Sequence, residues 1–300
     1  MVPLFLDSAE WRALEQQHQQ RADALSLGRR QRVERGETHP VNDFLFTYYP
    51  LRPGLLRRWH PGAGVVLVDA AGDERGSWKW YRSAGTGGGT GVRGDSDLEV
   101  DTTAFLQAKA RTITFITTLL ADTIKRTPNF GCFGLHEWAM VFRQGEHRHE
   151  APLRIGQAAT DEVVVGSRIA CSHFDAYRFF TPAATGLNAL SPTRENQPEL
   201  EQSGCLHAGM DVYKWAIKLG PLIPGDLLLD CFDLAADIRQ LDMRASPYDL
   251  SAWGYESVAV ETPTGKADYV RQQRGFAARG NVLRQRVIDA VALAGARPLL

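Results

Sequence analysis

From residue 103 to the end of the chain, apolar residues recur at three- and four-residue spacing, which commits most of the protein to helix. The clearest stretch is Phe105 to Arg126. There Phe105, Ala108, Ile113, Phe115, Ile116, Leu119, Leu120 and Ile124 form one broad stripe, closed by Pro128 and Gly131. Met210 to Leu219 reads as a second helix, and Pro221 and Pro224 separate it from a strong helix over 226–242. Pro263 opens a long last helix that runs to Leu293. Leu135 to Phe142 fits a short helix or strand, and Val163 to Ile169 predicts the best strand of this half. The proline-rich, polar stretch 186–203 reads as a long loop.

The first hundred residues follow another pattern. Residues 8–35 read as a polar helix opened by Ser8, anchored by Trp11, Leu14 and Leu25, and stopped by His39-Pro40. Residues 43–60 are aromatic-rich and twice broken by proline. Val65 to Val68 and Ser77 to Arg82 predict two short strands around the turn Ala71-Gly72-Asp73. The run 83–95 holds six glycines, but no Lys-Ser/Thr follows any of them and a charged segment comes next. That context excludes a phosphate loop and leaves a flexible surface loop. The expected fold is mainly α (α+β), with a small β portion near the start. It is organised as an N-terminal lobe over 1–102 and a helical body over 103–300, or as one continuous domain.

Composition narrows the class. With 300 residues, 44% of them hydrophobic, and a net charge of −1, the chain can bury a large core and is not disordered. No apolar run approaches the roughly 20 residues needed to cross a bilayer. Four cysteines are too few for a disulfide scaffold, so a soluble, cytoplasmic protein is expected. A neutral total also means that any nucleic-acid contact needs a local basic face. Two candidates exist: Arg21, Arg29, Arg30, Arg32 and Arg35, and Arg271, Arg274, Arg279, Arg284 and Arg286.

Chemistry concentrates in the middle of the chain. All four cysteines lie between 132 and 231, and five of eight histidines between 136 and 207. Glu137, beside Leu135, Trp138 and Met140, sits in an apolar setting that raises a carboxyl pKa. Asp175 lies among Phe174, Tyr177, Phe179 and Phe180, with Arg178 as an ion-pair partner. Asp211 falls one helical turn before Lys214 and Trp215. Glu137, Asp175 and Asp211 are therefore the candidate acid–base groups. His136, Trp138, Arg143, Tyr177, Arg178, Lys214, Trp215 and Arg244 are the candidate substrate-binding groups. His147, His149, His173 and His207, with the cysteines, could hold zinc or a haem. His136-Glu137 opens like a zincin motif, but Met140 stands where the second histidine belongs. Asp226, Asp230, Asp233 and Asp237 make an acidic stripe on the helix over 226–242, read as its solvated side.

The runs NFGCFGLHEWAMVFR (129–143), CSHFDAYRFFTP (171–182), GCLHAGMDVYKWAIKL (204–219) and LDMRASPYDL (241–250) resemble a family of actinobacterial proteins named 3-methyladenine DNA glycosylase. The likeness extends to 39–62 and 261–274. It implies hydrolysis of the N-glycosidic bond of an alkylated base in DNA. A carboxylate among Glu137, Asp175 and Asp211 would stabilise the oxocarbenium ion or activate water, and Trp138, Tyr177 and Trp215 would stack on a flipped base. The nearest match to a helix-hairpin-helix turn is Leu222-Ile223-Pro224-Gly225-Asp226, with Asp242 seventeen residues after Gly225. The residues themselves leave two further readings open. One is a metal- or haem-dependent small-molecule enzyme built on residues 132–207, and the other a helical binding protein without catalysis.

Overall fold

A computed structural model describes residues 2–49, 51–85, 96–145 and 151–295. The elements run β1 (Leu4–Leu6), α1 (Ser8–Arg35), α2 (Phe44–Tyr48), α3 (Pro53–Leu56), β2 (Val65–Leu67), β3 (Tyr81–Ser83), β4 (Leu98–Val100) and α4 (Thr102–Lys125). They continue with α5 (Leu135–Ala139), α6 (Gly156–Val165), α7 (Phe174–Tyr177), α8 (Pro182–Thr185), α9 (Gln197–Leu200), α10 (Leu206–Leu219), α11 (Gly225–Arg244) and α12 (Pro263–Leu293). The fold is mainly α with a small sheet near the N-terminus. No described helix is long and apolar enough to cross a membrane.

The sheet has the order β1-β2-β4-β3. Leu4 pairs with Val65 in parallel, while β4 runs antiparallel to both β2 and β3. Trp11, Trp59, Leu67, Ala70 and Leu98 pack as a small core of their own. Among them lies Arg75, fully buried, with its guanidinium 5.1 to 5.7 Å from the rings of Trp11, Trp59 and Trp78. Asp73 and Glu15 take its charge.

Two strand expectations are corrected. The strand expected over Ser77 to Arg82 begins only at Tyr81. The Asp73 carboxylate accepts the Arg75 N–H, and this turn winds Glu74–Ser77 into a single 3₁₀ turn instead. The strand expected over Val163 to Ile169 is the end of helix α6. Its three valines suggest extended chain, yet Val164 is buried and Val165 is 62% exposed, and Gln157 bonds Asp161 at helical spacing. Ile169 makes only an isolated bridge to Asn188. The helix starting at Ser8 is capped by Asp7, which forms a capping box with Glu10, and it ends at Gly36 in the left-handed region. The long polar loop carries the single turn α9. Most of the glycine-rich run, 86–95, lies outside the described residues.

The acidic stripe of α11 is not simply solvated. Arg21 of α1 pairs with Asp230 at 2.7 Å and Asp233 at 2.5 Å. From α12, Arg286 pairs with Asp226 and Asp230, and Arg279 with Asp237. The opposite stripe, Leu227, Cys231, Leu234, Ile238 and Leu241, is buried. Both arginine groups are thus largely spoken for. Arg29 and Arg32 hold Asp43, Arg271 pairs with Asp268, and Arg284 is buried on the Ala208 carbonyl. The main core runs from Ala22 of α1 to Val291 of α12 and joins the N-terminal elements to the helices behind them.

His60 links the small sheet to that core through a 2.8 Å bond between its Nδ1 and the Tyr81 hydroxyl. Burial, with repulsion from Arg75, pushes its pKa from 6.5 down to about 3. The unfolded chain therefore binds a proton that the folded chain refuses, and stability falls as pH drops from 6.5 toward 3. Urea midpoints at pH 7.5 and pH 5 should differ less in His60→Gln than in the parent. Equal pH dependence in the two proteins would show that His60 contributes nothing to acid sensitivity.

Candidate active site

A pocket of about 520 Å³ opens where α2, α5, α10 and α11 meet. Phe44, Tyr48, Phe179, Tyr248 and Trp253 line it with aromatic rings, and Glu137, Asp175, His207 and Arg239 add its ionisable groups. The chain enters α5 through Phe133 and Gly134, both left-handed at φ 51° and 70°. A Cβ on Gly134 would only touch Ala245 and Tyr269 at 3.4 Å, so it is the left-handed backbone that favours glycine at this turn. Trp138 then locks α5 to the end of α11 by donating its Nε1–H to the Ala245 carbonyl at 2.9 Å. On α10, Gly209 lets the helices close: a Cβ there would lie 2.7 Å from Ile238 of α11. These contacts bring His136 and Glu137, His207, and Arg239 and Asp242 to one point from three separate helices.

The result is a four-residue group. Ligand-capable atoms of His136, Glu137, His207 and Asp242 all lie within 4.8 Å of one another. His136 Nε2 is 3.0 Å from Asp242 Oδ1. Neither atom completes a hydrogen bond, although both are buried. Arg239 Nη1 reaches Asp242 Oδ2 at 3.1 Å and Glu137 Oε1 at 3.4 Å, and its guanidinium lies 4.0 Å over Phe44. Burial opposes a charge on His136, but Asp242 outweighs it and holds the imidazolium well above the usual histidine range. Burial, then repulsion from His136, pushes His207 well below that range. Asp242 is held well below the carboxylate range, against burial, chiefly by His136.

A second charged group adjoins the first. The rings of His136, His207 and His173 follow in a row, with centroids 4.5 and 5.4 Å apart. His173 Nε2 faces Asp211 Oδ2 at 3.3 Å, and Tyr49 donates its hydroxyl to Asp211 Oδ1 at 3.1 Å. Lys214 bridges Asp211 at 2.5 Å and Asp175 at 3.0 Å, and Arg178 meets Asp175 at 3.3 Å. Burial disfavours the Asp211 anion, but His173 and Lys214 outweigh it and keep its pKa below the usual range.

The candidate residues separate on this map. Glu137, Asp175 and His207 face the pocket, while His136 and Asp211 are buried behind it. His173 stays with Asp211 and is not part of the four-residue group. His147 and His149 lie outside the described residues. Trp138, expected to stack on substrate, is instead a fully buried core residue. Trp215 and Lys214 line a different groove, and Tyr177 bonds the Thr185 carbonyl. Arg143 is exposed, with its backbone on Asp161, and Arg244 bonds the Glu256 carbonyl beside a separate cavity. In the hairpin-like turn, the Gly225 N–H donates to the His60 carbonyl at 2.9 Å, and Asp226 is paired with Arg286. Sequence reasoning missed Arg239, Phe44, Tyr48 and the grouping of Asp242 with His136. The one available signal was the aromatic richness of 43–60.

No protein-family model, curated protein or solved structure matches the chain.

Proposed function

We propose that the protein is a metal-dependent enzyme acting on a small molecule with a planar ring, its cation held by His136, Glu137, His207 and Asp242. The observation that carries this reading is the pair His136 Nε2 and Asp242 Oδ1. They are buried and 3.0 Å apart, inside a set of four ligand atoms spanning 4.8 Å, and a cation would displace the proton that Asp242 holds on His136. Two imidazoles and two carboxylates suit zinc and similar divalent ions. Arg239 holds carboxylate oxygens of the set, as outer contacts do around bound metals. A cation here would supply Lewis acidity or an activated water, and Glu137 and His207 open onto the aromatic pocket where a ring would rest.

The test is metal content. Elemental analysis of the purified protein should find about one equivalent of a divalent ion. Zinc added to chelator-treated protein should raise the thermal midpoint by about 5 °C or more, and His207→Ala should lose both effects. Metal-free protein that ignores zinc, manganese and iron ends this reading. A Soret band would replace it with haem.

Base excision is the second reading, favoured by two carboxylates, Glu137 and Asp175, facing one aromatic pocket. It calls for release of an alkylated base from an oligonucleotide in the presence of chelator. The terminal-helix arginines carry aspartate partners, so DNA affinity at low salt should be weak unless another face supplies it. Chelator-resistant base release would place this reading ahead of the metal one.

A further inference from the structure

Outside the main pocket, α4, α7, α9 and α10 enclose a groove of about 480 Å³. Arg111, Arg194, Lys214 and Lys218 line it together with Phe115, Phe174 and Trp215. Lys214 is committed to Asp211 and Asp175. Arg111, Arg194 and Lys218 are exposed and form none of the salt bridges found among the described residues; Arg194 lies 5.5 Å from the Phe174 ring, and its charge is felt by the neighbouring Glu195. This contrasts with the arginines of α1 and α12, which face aspartates. The aromatic wall is organised around Trp215, with Lys214 and Lys218 at 4.5 and 5.1 Å from its ring and Phe115 packed edge-on at 5.9 Å. Trp215 is 4% exposed and its indole N–H has no hydrogen-bond partner. Phe115 lines the groove and is 38% exposed.

We propose that this groove binds a small phosphate ester carrying an aromatic ring, a ligand of mononucleotide size. Three exposed cations around one concavity fit the charge of a phosphate, and the exposed Phe115 offers the stacking group for the ring. A polymer is disfavoured because the basic residues of α1 and α12 are occupied, leaving one local cluster rather than a track along a backbone. Asp175 lines both this groove and the main pocket, so the bound ligand lies against the proposed reaction chamber. The inference needs no metal and stands if the metal reading fails.

Calorimetry on the full chain tests it, with AMP, GMP, CMP, UMP and 4-nitrophenyl phosphate as probes, and with adenosine, inorganic phosphate and a dT oligonucleotide as comparators. At least one aromatic phosphate should bind saturably, more tightly than adenosine or inorganic phosphate, and more weakly as salt rises. Arg111→Ala/Lys218→Ala should weaken that binding roughly tenfold or more, with the thermal midpoint unchanged because both side chains are exposed. Phe115→Ala should weaken the aromatic probes and leave inorganic phosphate unaffected. The proposal is overturned by no saturable binding of any aromatic phosphate, by unchanged affinity in the double variant, or by tighter binding of the oligonucleotide.

Discussion

Arg75→Leu is expected to lower the thermal midpoint by about 10 °C. The substitution removes a fully buried cation and leaves Glu15 and Asp73, both largely shielded, without the charge that they face. Breaking one side of such a pair costs about 3–5 kcal/mol, and each kcal/mol moves the midpoint of a protein of this size by roughly 2–4 °C. The aromatic cage adds to the loss, since Trp11, Trp59 and Trp78 all face the guanidinium. Arg75→Lys keeps the charge but not the planar fork that reaches Asp73, Glu15 and the Trp59 carbonyl together, so it should fall between the two. Calorimetric scans of the three proteins decide the point. A parental midpoint for Arg75→Leu would mean that the small sheet is held by its apolar contacts alone.

Arg239→Met should have an effect of similar size, with a different signature. Arg239 is buried between Glu137 and Asp242, and removing it takes away a cation that both buried carboxylates face. In chelator the expected cost is again about 3–5 kcal/mol. Zinc should then stabilise the variant more than it stabilises the parent, because the ion supplies the charge that the guanidinium gave. A loss that zinc does not repair would identify the group as a structural ion-pair network, without a metal function.

The long helices were legible because several signals agree in each. Pro263 to Leu293 has proline at its start and sustained spacing to its end, and 226–242 is bounded by Pro224. β1 and β4 were not legible. All four strands are three residues long, so alternation registers in none of them; β2 shows through its valines, whereas β1 is Leu-Phe-Leu and owes its existence to that partner at Val65–Leu67. The valines at 163–165 misled because β-branched residues mark strands only on average, and here α6 is set by its own i,i+4 bond and by packing against α5. For the site, His136, Glu137 and His207 stood out as residue types in motifs. Their grouping with Asp242 depends on how α10 closes on α11 at Gly209, which no local pattern encodes. Trp138 and Trp215 stand beside carboxylates in the sequence, a pattern that suggests a ligand platform. In the fold Trp138 fastens α5 to α11, while Trp215 faces a groove of its own.

The belt of arginine–aspartate pairs around α11 also bears on how the chain comes together in time. Arg21 meets Asp230 across 209 residues of sequence, and Arg286 reaches the same aspartate from the other side. Helix α1 leaves the ribosome long before its acidic counterpart exists, and it carries few apolar side chains with which to hold itself meanwhile. Such remote closures slow folding, since the chain must be brought round before the contact rewards it. Asp230 is therefore a late meeting point: α1 and α12 are joined at one carboxylate that lies 209 residues beyond Arg21 and 56 before Arg286.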